Sequence, residues 1–257
     1  MSLTKINTPM TLSNFKPNII RFPSVRSTSN ELKSFSEKES LPNFTILITD
    51  DQTSGKGQVG NTWESEAGKN LTFSVLLYPK NVAILSQFIL SKMVSVAIVQ
   101  ALEYEIDGIE IKWPNDIYIG EKKICGILIE NSIMGATLNQ TIIGVGININ
   151  QKVFRSDAPN PTSLVIETGH EHEIKPILDR IIEQLALRFA QVNAGCVTAI
   201  NAIYFDKLYR RDGVHKYRDD EGDFEAKIVD VLDHGYLVLE TRGGSRKEYA
   251  FKEVKFM

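Results

Sequence analysis

The 257-residue sequence is short of the side chains that most often announce a chemistry. It has two cysteines, Cys125 and Cys196, far apart and in no CxxC pair. That excludes a disulfide framework and a cysteine zinc site, and it fits a reducing compartment. Histidine is also scarce, with four residues, and its one close pair, His170-Glu-His172, lies in a polar run beside Gly169. The pair reads as a solvated turn rather than a metal site. Neither sign of charge dominates: 29 Lys+Arg stand against 32 Asp+Glu, a net charge of -3. A general nucleic-acid binder carries a basic face, so that class is excluded. Uninterrupted apolar runs are lacking too. Met1 to Phe22 mixes Pro9, Pro17, Asn and Thr, which argues against a secretory peptide or a transit helix. The longest apolar stretch, Val82 to Leu102, is broken by Gln87, Lys92, Gln100 and serines, and it reads as a buried core helix rather than a membrane span. What remains is the composition of a cytoplasmic α/β protein with ample core, as one large domain or a large one plus a small one.

Periodicity and turn residues then order the chain. Ser27-Thr-Ser-Asn30 carries N-cap chemistry ahead of a short helix, Glu31 to Lys38, with Leu32 and Phe35 facing a core. Phe44 to Thr49 predicts a strand. Asp50 to Gly68 has no apolar period and predicts a long loop, of the kind that is usually functional. Leu71 to Tyr78 is a strand stopped by Pro79. Four apolar runs follow the core helix, Ile109–Trp113, Ile117–Ile119, Lys123–Glu130 and Gln140–Ile149, and their turn-rich separators predict an antiparallel meander. Ile174 to Val192 is an amphipathic helix and Cys196 to Tyr209 a further one. Beyond a composition break at Arg210–Gly213 and Arg218–Gly222, three short strands (Phe224–Leu232, Tyr236–Thr241, Arg246–Phe251) predict a small β-module of SH3 size.

Four segments could carry chemistry. Gly55-Lys-Gly-Gln-Val-Gly60 matches the dinucleotide fingerprint GxGxxG but opens no helix, so the Rossmann reading fails. Its glycines still let backbone amides approach an anion, as in a mobile flap. Lys112-Trp-Pro-Asn-Asp116 sits between two strands. Pro114 has no place in a central ladder, so the chain turns and presents Asn115 and Asp116 at a strand end. Lys123 follows seven residues on, where a hairpin would return it beside that turn. Gly144-Val-Gly-Ile-Asn148 is a strand with two glycines, which implies a close neighbour or ligand against it.

In this order, Ser27–Asn30, Gln52 with Gly55–Gly60 and Trp63, the KWPND run with Lys123-Ile-Cys-Gly-Ile-Leu128, and the GVGIN strand resemble the biotin protein ligases, from about residue 20 to the end. The resemblance implies an α+β fold: a mixed, mostly antiparallel sheet backed by helices, like that of class II aminoacyl-tRNA synthetases, with a C-terminal SH3-like β-barrel module. It divides the chain into a lead-in (1–20), a catalytic domain (21–210) and the C-terminal module (211–257). It implies biotinyl-5′-AMP formation from biotin and Mg-ATP, then transfer to a lysine of a biotin carboxyl carrier protein. Lys123, Asp116 and Lys112 would carry the chemistry. Thr28, Ser29, Gln52, Gly55, Lys123 and Gly126 would hold biotin. Lys56, Gly57, Gln58, Gly60, Trp63, Asn115 and Asn148 would hold ATP or the adenylate, with Mg2+ bound through the phosphates. The implied protein is a cytoplasmic monomer or weak homodimer with no nucleic-acid or membrane partner, since only about 25 residues precede Ser27 and none of them forms a recognition helix. A lipoate or octanoate ligase on the same fold, and a non-catalytic biotin-binding regulator, are the alternatives. The chain departs from the family's usual GRGRxG loop at Lys56 and Gln58, and lysine does not replace arginine at bidentate phosphate contacts.

Overall fold

β-Branched and leucine-rich runs build the centre of the molecule. In the computed structural model, which describes residues 15–57, 61–80, 82–156 and 158–257, seven of these runs form one sheet. They are β1 (Asn18–Val25), β2 (Thr45–Gln52), β5 (Leu71–Leu77), β6 (Ile109–Lys112), β7 (Asp116–Ile119), β8 (Lys122–Met134) and β9 (Thr137–Ile147). Between β2 and β5 lies a small ribbon of β3 (Gly55–Lys56) and β4 (Thr62–Trp63). The strand order is β1-β2-β5-β9-β8-β7-β6, antiparallel throughout except for the parallel β1–β2 pair. The β6-to-β9 meander is the one the turn residues predict.

Alternation along the strands separates two cores. Leu47, Leu76 and Ile142 face Leu32 of α1 (Thr28–Lys38). Ile46, Ile48, Phe73 and Val75 point the other way, into the main core under α2 (Ile89–Leu102) and α4 (Ile174–Asn193). Covered on both faces, β5 is buried along its whole length. The helix α2 buries eleven of its fourteen residues, which is the core role expected of this segment. It is shorter than its apolar run, because Ile84–Ser86 form a 3-10 turn that leaves Leu85 exposed. The short α3 (Leu164–Thr168) and then α5 (Thr198–Asp206) complete the helices.

A second sheet begins after Gly213. Its strands are β10 (His215–Asp219), β11 (Gly222–Val231), β12 (Leu237–Thr241), β13 (Arg246–Tyr249) and β14 (Lys255–Phe256). Five strands stand where three were predicted. β10 has only Tyr217 buried and β14 only two residues, so neither shows an apolar alternation. The acidic run Arg218–Gly222 is the turn of the β10–β11 hairpin. The predicted loop over 50–68 also differs: β2 runs on to Gln52, and the β3–β4 ribbon follows.

His172 departs from the solvated turn expected of it. Its side chain is buried, with Nδ1 2.7 Å from Glu105 Oε2 and Nε2 2.7 Å from Thr168 Oγ1. Arg180 pairs with the same carboxylate. His170 is exposed, and among the described residues no group of His, Cys, Asp and Glu could hold a metal ion.

Candidate functional site

A cavity of about 190 Å³ opens over β8 and β9, and the glycines of these strands shape its floor. Gly126 and Gly146 are cross-strand partners. The indole of Trp63 lies across both: a Cβ at Gly126 would sit 2.8 Å from its ring, and one at Gly146 would collide with its Nε1 edge. Two residues along β9 on the same face, a Cβ at Gly144 would come within 2.5 Å of Ser29 Oγ. The missing side chains therefore admit one aromatic and one hydroxyl to the floor.

The polar end of the cavity is built by α1. Ser27 is the N-cap and accepts from the Asn30 N–H at 3.5 Å, which turns Thr28 and Ser29 toward the sheet. Gln52 Oε1 accepts from the Thr28 N–H at 2.9 Å and from its hydroxyl at 3.1 Å. Ser74 Oγ donates to Thr28 Oγ1 at 2.8 Å and lies 2.9 Å from Ser29 Oγ. This chain of hydroxyls and an amide offers both donors and acceptors, although the strand pattern around Ser74 gave no sign of it. Lys56, on the ribbon above, donates to Asn30 Oδ1 at 3.0 Å.

At the mouth, Lys123 Nζ lies 2.7 Å from Asp116 Oδ2. Lys123 is the second residue of β8 and Asp116 opens β7, so the hairpin between them returns the lysine to the Trp113-Pro114 turn, where the peptide bond is cis. The ammonium also stands 5.9 Å from the Trp63 ring centroid. Phe251, from the C-terminal sheet's last turn, closes the rim and packs edge-on against Trp113 at 5.9 Å. The sequence pattern predicts Phe251 only as a strand end.

Of the residues singled out in the sequence, the structure brings Thr28, Ser29, Gln52, Lys56, Gly57, Trp63, Asp116, Lys123 and Gly126 to this one cavity. Gly55 lies just behind it, where a Cβ would meet Gln52 Nε2 at 2.8 Å and the Trp63 backbone. Asn115 and Asn148 are buried beside it, and each has an Oδ1 without a partner among the described residues. Asn148 Nδ2 donates to the Thr162 carbonyl at 2.9 Å. Gln58 and Gly60 lie outside the described residues. Lys112 goes elsewhere. Its ammonium is 4.7 Å from the Tyr118 ring, 5.5 Å from Phe256 and 6.0 Å from Tyr209, and it lines a separate groove that meets the cavity at Asp116 and Phe251. Burial in that aromatic cage pushes the Lys112 pKa down, against the pull of Asp116. Burial likewise drives the Tyr118 hydroxyl up to about 12 and the Cys125 thiol well above its usual range. Cys125 is therefore an inert core residue. Asp116 is the one carboxylate among the cavity's described lining residues, and Lys123 engages it.

The chain is similar to known proteins along most of its length. The model of the biotin/lipoate A/B protein ligase family matches residues 21–148. The bifunctional ligase/repressor BirA of Bacillus subtilis is 30% identical over 234 residues, covering 88% of this chain and 70% of that protein. The biotin–[acetyl-CoA-carboxylase] ligase of Paracoccus denitrificans is 27% identical over 226 residues, covering 85% and 93%. The biotin protein ligase from Aquifex aeolicus, solved in complex with biotin and ATP, superposes with a TM-score of 0.75 at 26% identity, over 93% of this chain and 99% of that one. Taken with a cavity that gathers the KWPND aspartate, the lysine seven residues on and the two-glycine strand, these matches mean that the chain belongs to the biotin protein ligase family, whose members are carbon–nitrogen ligases.

Proposed function

We propose that this protein activates biotin with ATP as biotinyl-5′-AMP and then passes the biotinyl group to a lysine of a biotin carboxyl carrier protein. The observation that carries the reading is the 2.7 Å Lys123–Asp116 pair at the mouth of a cavity whose far end is a hydroxyl–amide cluster. In the first step a carboxylate attacks the α-phosphate, and two anions must meet. Among the described residues of the wall Lys123 is the one cation paired to a carboxylate, and it can exchange Asp116 for the incoming carboxylate and the phosphate. A fixed charge at that point stabilises the developing transition state by several kcal/mol once water is excluded. Pyrophosphate leaves. Magnesium would arrive on the nucleotide's phosphates and screen their charge, with the Asn115 amide at hand.

Thr28, Ser29 and Gln52 match the donors and acceptors of a ureido ring, with the Gly126 backbone as a further contact. Trp63 on its glycine floor offers a face for adenine, near Asn148, with Lys56 and Gly57 above it. In the second step the acceptor ammonium must lose a proton before it attacks the acyl carbon, expelling AMP. Asp116, freed once Lys123 has engaged the adenylate, takes that proton. A lipoate or octanoate ligase would need a sleeve without hydrogen-bonding partners at its end, and the Thr28–Gln52–Ser74–Ser29 cluster speaks against it. The two free cysteines suit a reducing compartment, and we place the reaction in the cytoplasm. The test is transfer of labelled biotin to a carrier domain with and without ATP. ATP-dependent labelling of a single lysine is expected; labelling that ignores ATP, or none, would overturn the reading.

A further inference from the structure

The ribbon that carries Trp63 is too small to hold itself. β3 and β4 share two residue pairs, Gly55↔Trp63 and Lys56↔Thr62, and an isolated two-stranded ribbon is marginal in water even when longer. Its returning arm is fixed one residue past the tryptophan. The Glu64 carboxylate accepts from the backbone N–H of Arg155 at 3.0 Å and of Ser156 at 2.7 Å, and from Gln151 Nε2 at 3.1 Å. Burial pulls the Glu64 carboxyl upward, yet the hydrogen bonds from Ser156, Arg155 and Gln151 hold it below its ordinary range.

Gln151 passes the restraint on. It is 1% exposed, and its Oε1 accepts from the Glu66 N–H at 2.9 Å and from Asn70 Nδ2 at 2.5 Å. Asn70 Oδ1 accepts from the Ile149 N–H at 3.0 Å, just past the end of β9. The ribbon is thus fastened to the continuation of the strand that carries Gly146, the floor beneath the indole. Glu64 itself does not line the cavity.

From this network we infer that Glu64 is a positioning residue: it holds Trp63 against the Gly126–Gly146 floor and so sets nucleotide affinity without touching the nucleotide. The inference rests on the reading of Trp63 as the adenine platform, and the test keeps the two apart. Glu64→Gln leaves one acceptor oxygen for several donors and turns an N–H₂ toward the backbone N–H groups. Acrylamide quenching of the ligand-free protein reads the indole directly, because the second tryptophan, Trp113, is only 4% exposed. In Glu64→Gln and Glu64→Ala quenching should increase. The ATP KM in biotin-dependent exchange should rise about five- to tenfold, with kcat and the biotin KM within about twofold of wild type. Unchanged quenching in both variants overturns the inference, as does increased quenching with an unaltered ATP KM. A parallel loss in ATP KM, biotin KM and kcat, with a lowered Tm, would make Glu64 merely structural and overturns it too. A wild-type chain without exchange activity would instead sink the proposed function, and the quenching result would still report the indole.

Discussion

Lys123 meets Asp116 at 2.7 Å with about a quarter of each side chain open to solvent (27% and 26%). A pair so placed adds little to stability, since water screens it, and Lys123→Ala should move Tm by no more than about 2–4 °C. Its effect on chemistry should be of another order: biotin-dependent ATP–pyrophosphate exchange is expected to vanish, and normal exchange in that variant would remove Lys123 from its role. Asp116→Asn separates the two steps. Adenylate formation should survive better than transfer to the carrier in single-turnover assays, because only the second step needs a proton acceptor; equal loss of both would count against the base. This pair was legible in the sequence, because a proline turn and a seven-residue return are local geometry. Lys112 was not. Its cage comes from Tyr118, from Tyr209 after α5 and from Phe256 on β14, and no spacing within KWPND brings those rings together. Glu64 was equally hidden, because a carboxylate whose partners are backbone N–H groups of a distant loop looks like any surface charge.

At the scale of elements, β9 divides its face between two side chains, one assigned to each proposed ligand. Gly146 meets the Trp63 indole and Gly144 meets Ser29 Oγ, one strand period apart. Adding a methyl group at each position should therefore produce opposite selectivity. Gly146→Ala is expected to lift Trp63 and raise the ATP KM by about tenfold or more while sparing biotin affinity; Gly144→Ala should do the reverse, pressing on Ser29. Isothermal titration with biotin, set beside exchange kinetics in ATP, reads both, and identical defects in the two variants would refute the division. That two glycines in a strand implied a close neighbour was clear from the sequence, but which neighbour depends on register with β8 and β5. Elements without an apolar period stayed out of reach: the two-residue strands of the ribbon, and β10 with its single buried Tyr217. The β10 end also carries an acid-sensitive contact. Hydrogen bonds from Lys247 at 2.9 Å and the Tyr249 hydroxyl at 2.8 Å hold Asp219 down to about 2, below its ordinary value of 3.8. A carboxyl depressed on folding stabilises fully above its unfolded pKa and loses that contribution as pH falls through the folded one. Asp219→Asn should then flatten the stability loss between about pH 4 and pH 2, followed by circular dichroism; an unchanged slope would show the contact to be idle.

At the scale of the whole molecule, one residue of the KWPND run ties the C-terminal sheet to the cavity. Trp113 Nε1 donates to the Gly235 carbonyl at 2.9 Å, while its ring packs against Phe251, and three residues on Asp116 enters the cavity. Lys92, buried in α2, adds a second tie through the Val231 carbonyl at 3.1 Å, and the module's Tyr217, Ile228 and Leu237 continue the main core. The C-terminal sheet is thus held in register with the Trp113–Asp116 turn. Its Phe251, 45% exposed, stands where the cavity meets the Lys112 groove. An aromatic wall at that junction would separate the proposed acyl-adenylate from the groove's water, in which a mixed anhydride hydrolyses before it is used. Phe251→Ala should join the two spaces. With limiting carrier, pyrophosphate release per biotin transferred should rise several-fold, while the first-turnover rate of adenylate formation changes by no more than about twofold. If that ratio stays at its wild-type value, the module contributes position alone, and the adenylate is sheltered by the Lys56–Gly57 arm of the ribbon over the cavity.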